Sequence, residues 1–187
     1  MPLNDAWQAE QVAQLTCSER ARFARISRPQ RRAQFVMAHY ILREALMSGG
    51  LHDARIEVDA EGRLQVHASA ALYASIAHSE DCVAVIVAGD PVGVDLESVS
   101  HRRDLKAAAA MLDLSPAEAA APDAVLRVWV TAEARLKAGQ NASPHVWLSC
   151  WQSCRLAVAG LSSPPLTGVF DGTTGIYNAA QLKWDAV

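Results

Sequence analysis

The chain has 187 residues, 51% hydrophobic and 20% charged, which excludes an extended disordered polymer and is enough to bury a core in one domain or two small intimate ones. A formal net charge of −3 gives no support to nucleic-acid or anionic-membrane binding. No apolar run approaches the ~20 residues of a membrane span.

The first residues, Met-Pro-Leu-Asn-Asp-Ala, lack the basic and apolar regions of a secretory signal. Ser18 is the expected N-cap of a short arginine-rich helix, and Pro29 suits the first turn of a longer one running to about Met47. Phe35, Val36, Tyr40, Leu42 and Leu46 give the longer helix a broad apolar face, and Gly49-Gly50 end it. Seven arginines (20, 22, 25, 28, 31, 32 and 43) crowd this first quarter and suggest a patch for a phosphorylated ligand. Strand-like pieces follow near 54–58, 63–67, 72–77 and 82–88, and residues 91–100 add another.

From Ser100 the pattern turns helical again. Residues 102–111 are alanine-rich, Ser115-Pro116 opens a short helix, and Asp123 is the expected cap of a long helix ending near Gly139. Strands near 146–151, 154–160, 166–170 and 175–180 close the chain. Helices then strands, twice over, predict an α+β protein of two halves, 1–99 and 100–187, packed tightly. Cys17, Cys82, Cys150 and Cys154 follow neither a disulfide nor a zinc spacing, so reduced thiols in a cytoplasmic protein are expected.

In Val92-Gly93-Val94-Asp95-Leu96-Glu97 the alternation puts Gly93, Asp95 and Glu97 on one strand face. Two like charges side by side repel, and either a solvated strand end or a cation would answer that. On the long helix Leu126, Trp129, Val130, Glu133 and Lys137 share a face, so Glu133 ends an apolar stripe. From that spacing alone a simple Glu133–Lys137 ion pair, worth ~0.3–0.5 kcal/mol, is the favoured reading. Three carboxylates form a hard-oxygen set of the kind Mg²⁺ takes alongside water and substrate phosphates. A lysine one turn on can hold such a phosphate as a point charge.

Those two motifs, the second reading Trp129-Val130-Thr131-Ala132-Glu133-Ala134-Arg135-Leu136-Lys137, resemble the signatures of phosphopantetheinyl transferases of the Sfp type. The 36 positions from Glu97 to Glu133 suit that family, and Ser75-Ile76-Ala77-His78-Ser79-Glu80 resembles its Ser-His-Ser motif. Arg31-Arg32-Ala33-Gln34-Phe35 and Ile41-Leu42-Arg43-Glu44-Ala45-Leu46 resemble its first helix. The likeness runs colinearly from about residue 18 to 140, the context that a motif match requires.

The resemblance implies two similar α+β halves related by pseudo-twofold symmetry, each a small antiparallel sheet packed with helices, with coenzyme A in the cleft between them. It implies transfer of the 4′-phosphopantetheine arm to a serine of an acyl or peptidyl carrier protein, by a monomer using neither nucleic acid nor membrane. Carried over by position, Asp95, Glu97 and Glu133 would hold Mg²⁺, and Glu133 would deprotonate the carrier serine. Lys137 would stabilise phosphate charge. His78 would meet the ribose 3′-phosphate, with Arg20, Arg32 and Arg63 as helpers. The sequence departs from the family at Ala132 (a lysine there), His39 (an arginine), Ala77 (a serine) and Gly62-Arg63-Leu64. Two other readings stay open: a weakened relative that binds coenzyme A or a carrier without transfer, and a three-carboxylate metal-dependent phosphohydrolase.

Overall fold

The structure, a computed structural model, describes residues 5–58, 64–69, 71–80, 82–99, 105–151, 153–165, 168–171, 176–179 and 182–187. A helix that the sequence reading passed over, α1 (Asp5–Ala13), precedes α2 (Cys17–Ala24). The cap of α2 is Thr16 and not Ser18. Thr16 Oγ1 accepts the Glu19 N–H at 3.3 Å, and the Glu19 carboxylate accepts the Thr16 N–H at 2.7 Å, a reciprocal capping box. Helix α3 (Pro29–Ser48) starts and stops where expected, with Pro29 at its first position, where a missing N–H costs nothing, and Gly49 as C-cap.

The strands β1 (Arg55–Val58), β2 (Leu64–His67), β3 (Ala71–Ser79) and β4 (Cys82–Ala88) form an antiparallel sheet in that order. Leu42 and Leu46 of α3 cover it at Ile56 and Val66, while Phe35 and Val36 pack with Leu15 and Phe23. Strand β5 (Gly93–Ser98) follows, then α4 (Leu105–Met111), α5 (Pro116–Ala119) and α6 (Pro122–Ala138). Asp123 does not cap α6; Ala121 holds that position. Asp123 lies in the first turn, where its charge favours the helix dipole, and it pairs with Arg155.

The chain closes with β6 (Ser143–Trp151), β7 (Cys154–Gly160), the paired β8 (Gly168–Asp171) and β9 (Ile176–Ala179), and a two-residue strand β10 (Asp185–Ala186). The second four-stranded sheet runs β10-β6-β7-β5, again antiparallel. Strand β5 therefore hydrogen-bonds into a sheet whose other strands all come after residue 140, and the sheets interlock across the middle of the chain. Strand β7 is buried on both faces. Leu156 and Val158 join Val92, Val94, Leu96 and Ala77 on one side, each large side chain worth about 1.5–3 kcal/mol of burial. Ala157 and Ala159 meet Val130 and Ala134 of α6 on the other, small enough to let the helix lie close. No helix among the described residues is long and apolar enough to cross a membrane.

Candidate functional site

The glycine of the strand motif decides how the site is assembled. A Cβ at Gly93 would fall 2.0 Å from the Ala134 carbonyl oxygen and 2.5 Å from the Ala138 nitrogen. Helix backbone thus rests directly on strand backbone, so the space at Gly93 is filled by α6. That contact sets Glu133 and Lys137 beside Asp95 and Glu97. The acid-bearing face of β5 meets the helix and is not a solvated strand end, and Asp95 and Glu97 are each only 7% exposed.

Lys137 Nζ donates to Asp95 Oδ1 at 2.7 Å and to the Val94 carbonyl at 3.1 Å. The other carboxylate oxygen, Asp95 Oδ2, is buried with no hydrogen-bond partner. Burial pushes the Asp95 pKa up to about 6 against the pull of the Lys137 ammonium, and the charges of Glu97 and Glu133 add to the rise. The Glu133–Lys137 pair expected from helix spacing is thus replaced by a strand-to-helix pair between Lys137 and Asp95.

The Ser75–Ser79 stretch of β3 braces the same strand. As the last strand of its sheet, β5 has an open edge, and β3 covers it through side chains. Ser75 Oγ accepts the Val94 N–H at 3.1 Å, and Ser79 Oγ accepts the Ser98 N–H at 3.0 Å. The Ser79 hydroxyl then donates to Glu97 Oε2 at 3.0 Å, fixing that carboxylate. Ala77, between Ile76 and His78 on β3, is buried in the core with Val94 and Leu96.

A cavity of about 1040 Å³ is lined by Asp95, Glu97, Glu133, Lys137, His78 and Trp129. Arg22, Arg31 and His39 line it as well. Burial lowers the His78 pKa to about 4, with the charges of Arg31 and Lys137 adding to the effect, so this imidazole is neutral near pH 7. Burial, with the neighbouring charge of Arg22, also lowers the pKa of Arg31.

Two of the arginines carried over by position make other contacts. Arg20 Nη1 donates to the Ala13 carbonyl at 3.4 Å, and Arg32 lies over the Phe23 ring at 4.3 Å. Neither lines the cavity, and Arg63 falls outside the described residues. The sequence reading also missed Glu19, which is 0% exposed. Glu19 Oε1 meets His39 Nδ1 at 2.6 Å and Arg43 Nη1 at 3.3 Å. Burial raises the Glu19 pKa, but the His39 hydrogen bond, the Thr16 N–H and the charges of His39 and Arg43 outweigh it and hold the carboxyl below its usual range. Thr16-Cys17-Ser18-Glu19 carries the capping-box pattern that would have found this residue.

The orphaned Asp95 Oδ2 and the carboxylates of Glu97 and Glu133 are hard oxygen donors, a set that fits Mg²⁺ in kind. Among the described residues, no group of three or more His, Cys, Asp or Glu side chains is drawn together closely enough to hold a metal ion. The three acids line one cavity without forming a closed cage. The chain matches no protein-family model and no curated protein.

Proposed function

We propose that this chain is a phosphopantetheinyl transferase of the Sfp type, moving the phosphopantetheine arm of coenzyme A to a serine of an acyl or peptidyl carrier protein. One observation carries the reading: the Gly93 contact brings two distant motifs, Asp95/Glu97 and Glu133/Lys137, into the lining of one cavity with His78. Two like-built layers, α3 over β1–β4 and α6 over the second sheet, support the pseudo-twofold arrangement, with this cavity as its cleft. Its volume stands at the upper end of small-molecule sites, as a ligand the size of coenzyme A requires.

In this reading Glu133 takes the proton from the carrier serine, a poor nucleophile without a base. The serine oxygen bonds to the phosphorus bearing the pantetheine arm, and the bond to the other phosphate breaks. Adenosine 3′,5′-bisphosphate leaves with the charge. Lys137 has three donors and uses two on Asp95 and Val94, which leaves one for that phosphate. Asp95, Glu97 and Glu133 would hold Mg²⁺, which when bound neutralises pyrophosphate charge. His78, neutral, would offer a hydrogen bond to the ribose 3′-phosphate, with Arg22 and Arg31 supplying cations in place of Arg20 and Arg32. The two guanidinium groups repel each other, and an anion between them would relieve that.

The hold of Lys137 on Asp95, together with alanine at 132, favours one second reading, a module that binds coenzyme A without transfer. Release of adenosine 3′,5′-bisphosphate from coenzyme A separates the cases. Release that requires both Mg²⁺ and apo-carrier supports the transferase. Binding without release supports the module, and phosphate release with no carrier would indicate a phosphohydrolase.

A further inference from the structure

A pair of thiols lies at one end of the seam between the sheets, and neither takes part in the chemistry above. Cys82 opens β4 and is paired with Ser79; Cys154 opens β7 and is paired with Ser98. Although 72 residues apart in sequence, their sulfurs approach to 3.4 Å, with the Cys154 thiol donating to Cys82 Sγ. None of the four cysteines forms a disulfide; Cys17 and Cys150 are exposed, Cys154 is buried and Cys82 half-buried. Cys82 also lines an apolar cavity of about 490 Å³, away from the acids, which gives its sulfur a route to solutes.

We propose that Cys82 and Cys154 are a reversible thiol–disulfide site that ties the two sheets together, with a low-molecular-weight disulfide as its co-reactant. The sulfurs need to close by roughly 1.4 Å to reach the ~2.05 Å of a disulfide, a movement within side-chain reach. Cys82 is the entry point, because Cys154 is buried and its thiol is pushed far above the usual range by the hydrogen bond with Cys82 and by burial. Cys82 loses its proton and attacks the oxidant, for example oxidised glutathione, forming a mixed disulfide and releasing one glutathione thiolate. That step also removes the Cys82 thiol that held the Cys154 proton in place. Cys154 then attacks Cys82 Sγ and expels the second glutathione thiolate. Two thiols lose two electrons and two protons, and one glutathione disulfide becomes two glutathiones. The site stands apart from the proposed transferase reaction and survives that reading's failure.

The test treats the full reduced chain with oxidised glutathione, alkylates the remaining thiols, and digests with chymotrypsin, which cuts after Trp151 and so separates Cys150 from Cys154. The expected product is a Cys82–Cys154 linked peptide, two hydrogens lighter than its separate thiol peptides and lost on reduction. The oxidised chain should melt roughly 5–15 °C above the reduced one. Cys82→Ser and Cys82→Ala should show no such shift. Separate glutathione adducts or alkylated thiols at Cys82 and Cys154, with no linked peptide, would overturn the proposal. So would a linked peptide that leaves Tm unchanged.

Discussion

Lys137 and Asp95 form a strand-to-helix ion pair at 2.7 Å, yet the second oxygen of Asp95 is buried with no partner. The carboxylate is half satisfied. Its folded pKa, raised to about 6 from 3.8, says that its surroundings disfavour the charge even with the lysine present. A group whose folded pKa is raised stabilises most below the unfolded value and loses that contribution as pH climbs through the folded one. Asp95→Asn should therefore be more stable than wild type above pH 6, by about 3 kcal/mol in urea unfolding, with the difference closing toward pH 4. Mg²⁺ should raise the Tm of wild type at pH 7.5 and leave Asp95→Asn unmoved. Equal melting of the two proteins at pH 7.5 would contradict a costly charge at this position.

Gly93→Ala tests the assembly of the site. Its methyl would land 2.0 Å from the Ala134 carbonyl, helix backbone that no side-chain rotamer can relieve. A loss of at least about 2 kcal/mol is expected in urea unfolding, because α6 must lift from β5. A variant as stable as wild type would mean that strand and helix are further apart than described.

His78 gives a pH signature of opposite sign to Asp95. Its folded pKa is depressed to about 4 from 6.5, so between those values the unfolded chain takes up a proton that the folded chain refuses. The contribution of His78 is present above pH 6.5 and lost as pH falls toward 4. The stability of wild type relative to His78→Gln should be highest at neutral pH and decline across that window. Parallel pH curves for the two proteins would rule the depressed pKa out.

Glu19→Ala removes a fully buried carboxylate that caps α2 and holds His39 and Arg43. Breaking one partner out of a buried charge network costs about 3–5 kcal/mol, so Tm should fall by roughly 10 °C or more. Glu19→Gln, which keeps the shape and some of the hydrogen bonds, should lose less. If the two variants melt alike, shape and not charge holds this corner.

Ala132→Lys adds the cation that the proposed function leads one to expect beside Glu133. Calorimetry should show coenzyme A bound about tenfold tighter if that phosphate contact is merely missing. Unchanged affinity would mean that Arg22 or Arg31 already fills the place.

Much of the fold was legible because strong local signals and tertiary packing agree. Pro29 and Gly49 bound α3 as their chemistry requires, and Cys82–Ala88 forms its strand within the expected limits. Asp95 and Glu97 could be read as one strand face from alternation alone. The meaning of Gly93 could not, because open space beside a strand and a helix laid against it look the same in sequence. The inward-facing arginines were not legible for a related reason. In so dense a run, spacing does not say which guanidinium turns inward, and Arg22 and Arg31 reach the cavity while Arg32 lies on Phe23. Arg155, paired with Asp123, and strand β10 depend on partners more than thirty residues away, beyond any local pattern.

The central claim is tested most directly by the intact mass of an apo-carrier protein incubated with this chain, coenzyme A and Mg²⁺. The expected result is a gain of one phosphopantetheine arm on the carrier serine, absent with Asp95→Asn and with Glu133→Gln. No gain on fatty-acid, polyketide and peptide carriers alike, from a folded chain that still binds coenzyme A, would contradict it.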